Sequence, residues 1–438
     1  MHDRKDINAL TQDELDDYVH ALNILRQRSR DDPEDPTGYD YQSRLHNDLE
    51  VGPCEHGNDL FFAWHRCHLY YFEQLLRESD PPRTSNVAIP YWDWGRRDPA
   101  GRYPAAFSLP GLAESRFGDD QGAPLPPDTI DIVRDRRQWN EFGGWPAGTP
   151  GRNYGAFELG PHNHMHGSYI GGLMGDPESA AEDPIYWSFH CFIDLLWAEW
   201  QKRNPSEPAT SPQADLRGFV GQPLHRVEQF QSTASLGYQY EYNAALQADF
   251  AEPSPPPVDG QLVAVHSLGA LFQGTLQDQL LSVASADYAL PTLEALPRRV
   301  LLVLQDLSIP RGASFTLRVY VHPRTRPFEA QSEEERRRHY AGYVSIWKSH
   351  AHGGEHGGHG EHGGHGGHVH AGKAHHPSSA HVRVEATSVI ARLLAEGDDD
   401  LVSTLQFVPA PLPSGDPAPV AQLVREIELR DLTLEVIR

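Results

Sequence analysis

Apolar residues recur at helical spacing in three long stretches of the first half of the chain: "DELDDYVHALNILRQ" (13–27), "NDLFFAWHRCHLYYFEQLLRES" (58–79) and "DPIYWSFHCFIDLLWAEWQKR" (183–203). These predict buried helices. Thr11, with Glu14 three residues on, predicts a capped start for the first. Residues 95 to 160 are rich in Gly, Pro, Asp and Arg with little periodicity, which predicts long loops of the kind that serve a site. Past residue 260 the pattern changes to alternation, in "RRVLLVLQDLSI", "SFTLRVYVHP", "YAGYVSIW", "LVSTLQFVPA" and "REIELRDLTLEVI", which predicts a mostly antiparallel sheet domain, a sandwich or a barrel. The prolines of "AEPSPPPVDG" can continue neither a helix nor a central strand. The predicted organisation is therefore a mainly α domain over 1–250, a linker over 251–260 and a β-rich domain over 261–438. Set into the last is a Gly/His tract, residues 350–376, too polar to build a core and read as a mobile loop that either captures metal or serves as a spacer.

Composition narrows the partners. A hydrophobic content of 39% is ample for real cores, and a formal net charge of −24 argues against nucleic acid or an anionic membrane surface. A small neutral or cationic substrate fits better. The N-terminal segment has no apolar core of signal-peptide length and no run reaches membrane-spanning length, so a soluble, cytoplasmic protein is expected, with export by another route left open. Three cysteines, Cys54, Cys67 and Cys191, are too few for a disulfide framework.

Histidine carries the chemistry. In "GPHNHMHG" (160–167), His162 and His166 are four apart and share a helical face, while His164 points elsewhere. His46, His56 and His65 lie in or just before the second long helix, and His190 sits inside the apolar third one. A lone histidine on an apolar face is usually a satisfied core residue, but six in two chain regions suit a metal site in a helical core. Copper and zinc both fit that count; two separate zincs would use three ligands each.

The segments themselves decide between them. "CEHGNDLFFAWHRCHLYYFEQLL" resembles the first copper-binding signature of the type-3 copper proteins (tyrosinases, catechol oxidases, aminophenol oxidases and molluscan haemocyanins), and "HNHMHG" followed by "DPIYWSFHCFIDLLWAEW" resembles the second. "IPYWDW" (89–94) is similar to the segment between them. The resemblance implies a four-helix bundle holding two copper ions, with His46, His56 and His65 on the first and His162, His166 and His190 on the second. His164 and His68 would not be ligands. Cys54, two before His56, stands at the spacing at which some members join cysteine sulfur to the histidine ring in a thioether; Cys67 and Cys191 would only pack. Asp194 and Glu73 are candidates for buried carboxylates that orient the ligand rings.

The implied activity uses dioxygen to hydroxylate monophenols ortho to the hydroxyl and to oxidise o-diphenols to o-quinones. A catechol or o-aminophenol oxidase with little hydroxylase activity is the alternative, and a haemocyanin-like oxygen carrier a more distant one. A phenol titrates near pH 10 and must lose its proton, for which Glu158 and Asn163 would hold a water. Gly167 and Phe189, which replaces the first of two adjacent histidines usual in the family, would shape the substrate mouth. "FTLRVYVHP", "YAGYVSIWKSH" and "STLQFVPAP" are loosely similar to strands of the C-terminal domain of plant polyphenol oxidases, which can cover the copper site and keep the enzyme latent. Copper delivery through the His-rich insert is a further expectation.

Overall fold

Thr11 caps the first helix as its spacing predicts: its hydroxyl accepts from the Glu14 N–H, and the Glu14 carboxylate accepts from the Thr11 N–H. The computed structural model describes every residue except 49–51, 152, 208–210, 252, 254–260, 272–284, 292–297, 310–313, 349–378, 411–426, 428 and 438. Most of the expected linker and the whole His/Gly-rich insert at 350–376 thus lie outside the described residues.

Three long helices, α1 (Gln12–Asp31), α2 (Phe61–Ser79) and α3 (Ile185–Arg203), occupy the three periodic stretches. α2 and α3 are held together by aromatic packing, with the Phe72 and Trp187 rings stacked and Trp64, Trp197 and Trp200 fully buried. The segment from 95 to 160 consists of loops with short helices at Thr129–Asp135 and Trp139–Gly143, as its composition predicts.

Beneath these helices lies a buried ionic knot. Asp194 on α3 accepts from the Arg66 guanidinium, from Arg4 at 3.1 Å and from the Tyr238 hydroxyl at 2.6 Å, while Arg4 also donates to Glu73 at 2.8 Å. It ties both helices to the parallel pairing of His2–Arg4 with Tyr238–Tyr240. Burial alone would push the Asp194 carboxyl up, but Arg66 and Arg4 hold it below the usual range. Asp194 and Glu73 therefore serve this knot, and neither touches a ligand ring as the sequence reading expected; both point toward arginines that the helical register places beside them.

The described residues of the second half form eight strands: β1 (Leu262–Leu271), β2 (Ser285–Ala289), β3 (Arg299–Ser308), β4 (Phe315–Pro323), β5 (Tyr340–Ile346), β6 (Ser379–Glu385), β7 (Leu401–Pro409) and β8 (Leu429–Ile437). They build two four-stranded sheets, ordered β6-β3-β8-β1 and β2-β7-β4-β5, with antiparallel pairing throughout. Alternate residues, such as Val300, Leu302 and Leu304 on β3 and Phe315, Leu317 and Val319 on β4, join one core between the sheets. Helix α4 (Glu333–His339) precedes β5 and α5 (Thr387–Glu396) follows β6.

The sheets sit on the helical part through polar contacts. Arg299 makes a two-pronged pair with Glu141 at 2.8 and 3.0 Å, and Asn153 donates to the Ser379 carbonyl at 2.8 Å. Asp128 faces the Tyr343 hydroxyl across the seam; its Oδ1 is sealed from solvent, and burial pushes its carboxyl up to about 6 against the opposing effects of Tyr343 and Arg136.

Two outcomes are expected. Asp194→Ala leaves the buried Arg66 guanidinium without its carboxylate and Arg4 with Glu73 alone, and should cost about 3–5 kcal/mol in chemical denaturation, a loss below about 1 kcal/mol being incompatible with this reading. Asp128 is harder to ionise in the folded protein than in the unfolded chain, so its penalty grows as pH rises through about 6 and is complete above it. The melting temperature of the wild type should therefore drop relative to Asp128→Asn between about pH 4 and about pH 6.5 and run level above that. A constant difference would show that Asp128 does not titrate there.

Candidate metal centre

Six imidazoles reach one buried space from five places in the chain. His46 follows the short helix Tyr39–Arg44, His56 lies on the loop before α2, His65 is in the first turns of α2, and His190 is mid-way along α3. His162 and His166 sit on a wide helical segment, Glu158–His162 and Met165–Ile170, in which the Asn163 N–H reaches back to the Glu158 carbonyl and the Gly171 N–H to that of His166. Pro161, with no N–H to give, lies inside this widened stretch. The His65 and His190 rings stack with centroids 4.5 Å apart, His162 and His166 are also 4.5 Å apart, and His56 lies 5.3 Å from His162 and 5.6 Å from His46.

Every one of the six rings is held by its Nδ1. His46 meets the Pro177 carbonyl at 3.0 Å, His65 that of Phe61 at 2.8 Å, His166 that of Met174 at 2.9 Å and His190 that of Tyr186 at 3.1 Å. His162 uses the Asn163 side-chain oxygen and His56 the Glu158 carboxylate, both at 2.9 Å. Acceptors at Nδ1 fix the proton there and leave Nε2 with its lone pair facing inward. The Nε2 atoms of His46, His166 and His190 are buried and make no hydrogen bond within the described structure. Burial pushes His46 and His190 well below the usual imidazole range, and His166 down to about 3, so all three are neutral, as ligation requires.

This donor set fits metal ions. His162, His166 and His190 each offer a ligand atom within 4.8 Å of the others, and so do His46, His56 and the Cys54 sulfur. The His65 ring lies beside both groups, 5.1 Å from His56, 5.7 Å from His46 and 4.5 Å from His190. Neutral nitrogen donors of this kind suit copper or zinc.

Against known proteins, the family model for the common central domain of tyrosinase matches residues 36–121 and 119–203. Residues 36–203, which hold all six of these histidines, thus match the central domain of tyrosinase, a type-3 copper protein. The chain is 27% identical to a tyrosinase of Hahella sp. (strain CCB-MM4) over 329 residues, covering 61% of this chain and 70% of that one. It is 29% identical to a tyrosinase of Streptomyces antibioticus over 245 residues, 47% of this chain and 85% of that one. In fold it is similar to a latent aurone synthase (polyphenol oxidase), with a TM-score of 0.64 and 16% identity over 100% of this chain and 90% of the other. The matched domain and the tyrosinase relatives support a copper oxidoreductase acting on phenols, and the matched domain implies a dinuclear copper centre.

His164 and His68 are engaged elsewhere. His164 contacts the Pro124 carbonyl at 2.8 Å and the Ser345 hydroxyl at 3.2 Å, and His68 contacts the Gln42 carbonyl at 2.9 Å and the Tyr186 hydroxyl at 3.2 Å. Phe189 is buried between Trp94 and His166, and Gly167 packs against the β domain so closely that a Cβ there would lie 2.7 Å from that of Ser314. Cys67 and Cys191 are buried. Among the described residues, no helix is long and apolar enough to cross a membrane.

Glu158 has a second partner in the Gly57 N–H, at 2.9 Å, where a φ of 68° favours glycine. Burial pushes its carboxyl well up. With Asn163, Tyr154 and Trp347 it lines a cavity of about 10 Å³, the order of room that one water needs.

One residue went unremarked in the sequence. Trp347, just past β5, stacks on His166 with centroids 4.0 Å apart and an interplanar angle of 19°, and lies within 6.2 Å of His46, His56 and His162. Its Nε1 donates to the Gly175 carbonyl at 3.1 Å. The available signal was a lone tryptophan closing an alternating strand, which sequence alone does not separate from a core residue.

Proposed function

We propose that His46, His56 and His65 hold one copper ion and His162, His166 and His190 a second, in the helix-paired arrangement implied by the sequence resemblance, and that the protein is a phenol oxidase. The observation that carries the reading is the convergence of six buried rings, each oriented by an acceptor at Nδ1. Bound copper supplies the redox chemistry with dioxygen: a monophenol and dioxygen give an o-quinone and water, and two o-diphenols and dioxygen give two o-quinones and two waters. The chain's own part is to orient the rings, exclude water and move the phenolic proton. Glu158 and Asn163 hold a water in the small cavity between them for that transfer, and Glu158 also keeps the His56 ring in register. Cys54, whose sulfur lies within 4.8 Å of a His56 ring nitrogen, would join that ring as a thioether, a two-electron oxidation that removes two hydrogens and for which dioxygen, with copper bound, would be the oxidant.

In the docked state the β domain takes the substrate's place. Trp347 lies flat on His166, and the Ser345 carbonyl takes the Asn163 side-chain N–H at 3.1 Å. The docked protein is therefore latent, and opens by displacement or cleavage of the β domain. The same contacts favour a second reading, a catechol or o-aminophenol oxidase: Asn163 and Glu158 both have other partners, and o-diphenol oxidation depends less on a general base.

Oxygen uptake by the copper-loaded protein, with a monophenol and separately its o-diphenol, tests these readings before and after limited proteolysis between the domains. Uptake with both supports the hydroxylase, uptake with the diphenol alone supports the second reading, and none after cleavage points to an oxygen carrier. Trp347→Ala should raise diphenol turnover of the intact chain about tenfold or more by freeing the competent state, and unchanged turnover contradicts the latency assignment. Glu158→Gln should lower monophenol hydroxylation by about 10²–10⁴-fold, with a smaller loss on diphenols once copper content is matched. Equal losses on both substrates would assign Glu158 to ring orientation alone.

A further inference from the structure

A cavity of about 690 Å³ lies at the seam between the domains, away from the histidine cluster, where residues 124–127 face β4, β5 and α4. Its walls are unusual for a chain of net charge −24. The rings of Tyr320, Tyr340 and Tyr343, with Leu125 opposite, supply flat apolar surface, and Arg318 and Arg336 supply positive charge. Arg318 is half-buried, and its guanidinium has no ion pair or hydrogen bond among the described residues. Arg336 donates to the Phe328 carbonyl at 3.3 Å and lies over the Phe328 ring, with no carboxylate partner, and its Nε is buried without a hydrogen bond. The one acidic residue on the wall, Glu333, is already paired with Arg337.

Cationic groups lining a half-open cleft favour an anion there, because a partly desolvated guanidinium gains from a charge-assisted contact. The tyrosine rings favour a flat aromatic body, and the volume suits a small molecule. His164, bonded at both ring nitrogens, forms part of the wall toward the histidine cluster. We propose that this cavity binds a small aromatic acid, a carboxylate or sulfonate of one or two rings, between Arg318 and the tyrosine rings, and that its occupancy holds the β domain on the metal centre. The coupling follows from the fold. β5 brings Tyr340 and Tyr343 to the cavity and, a few residues on, Trp347 to His166. A ligand that touches both sides of the seam binds the docked arrangement only, and stabilises it by mass action.

Calorimetric titration of the metal-free full-length chain with naphthalene-2-sulfonate tests the site, with uncharged naphthalene-2-sulfonamide as the control. Saturable binding at one site is expected, weaker by tenfold or more for the sulfonamide and for Arg318→Met, with partial recovery in Arg318→Lys. Arg336→Met gives a second reading should Arg318→Met fail to fold, and His190→Ala should leave the affinity within about twofold, which separates the site from the metal centre. The sulfonate should also slow proteolytic separation of the domains in the wild type and not in Arg318→Met. No saturable binding, equal affinity for the neutral control, or binding unchanged by both arginine variants would overturn the proposal. None of these outcomes depends on copper, so failure of the phenol-oxidase reading would show separately.

Discussion

The arrangement depends on keeping six imidazoles neutral, buried and aimed at one space. Desolvation makes protonation costly, and an acceptor at each Nδ1 fixes both tautomer and ring angle. Four of these acceptors are backbone carbonyls, so the orientation is built into the course of the main chain: α2 and α3 each hold their own histidine through the carbonyl one turn back, Phe61 for His65 and Tyr186 for His190. The two helices must then be locked to each other, and the knot around Asp194, Arg66, Arg4 and Glu73 does this on α2 and α3 further along from the histidines.

Glu158 is the exception among the six anchors. It places a carboxylate rather than a carbonyl against a ring, and burial disfavours its charge. A bound cation nearby would reverse that preference, and the proposed role of Glu158 in proton transfer rests on that reversal. The β domain acts on the same point from outside. The Ser345 carbonyl of β5 meets Asn163, and Trp347, just past the strand, stacks on His166.

The helices, the capped start at Thr11 and the alternating strands were legible because each repeats a local period. The six histidines were legible through their signature segments and converge in the fold. What the sequence concealed were relations across long separations. Asp194 and Glu73 read as ring-orienting carboxylates, whereas arginines 128 and 69 positions away claim them. Trp347 went unremarked, because nothing local shows that the strand before it ends over a histidine from the helical part. The seam cavity was hidden for the same reason, since its arginines and tyrosines share no motif.

The most direct test of the central claim is the copper content of the purified chain after reconstitution and removal of loosely held metal, in a variant with residues 350–376 deleted so that the His-rich insert adds no background. The account predicts two coppers per chain, falling by at least one in His190→Ala and in His46→Ala while the fold is retained. Fewer than two in the parent, or an unchanged count in both variants, would contradict it.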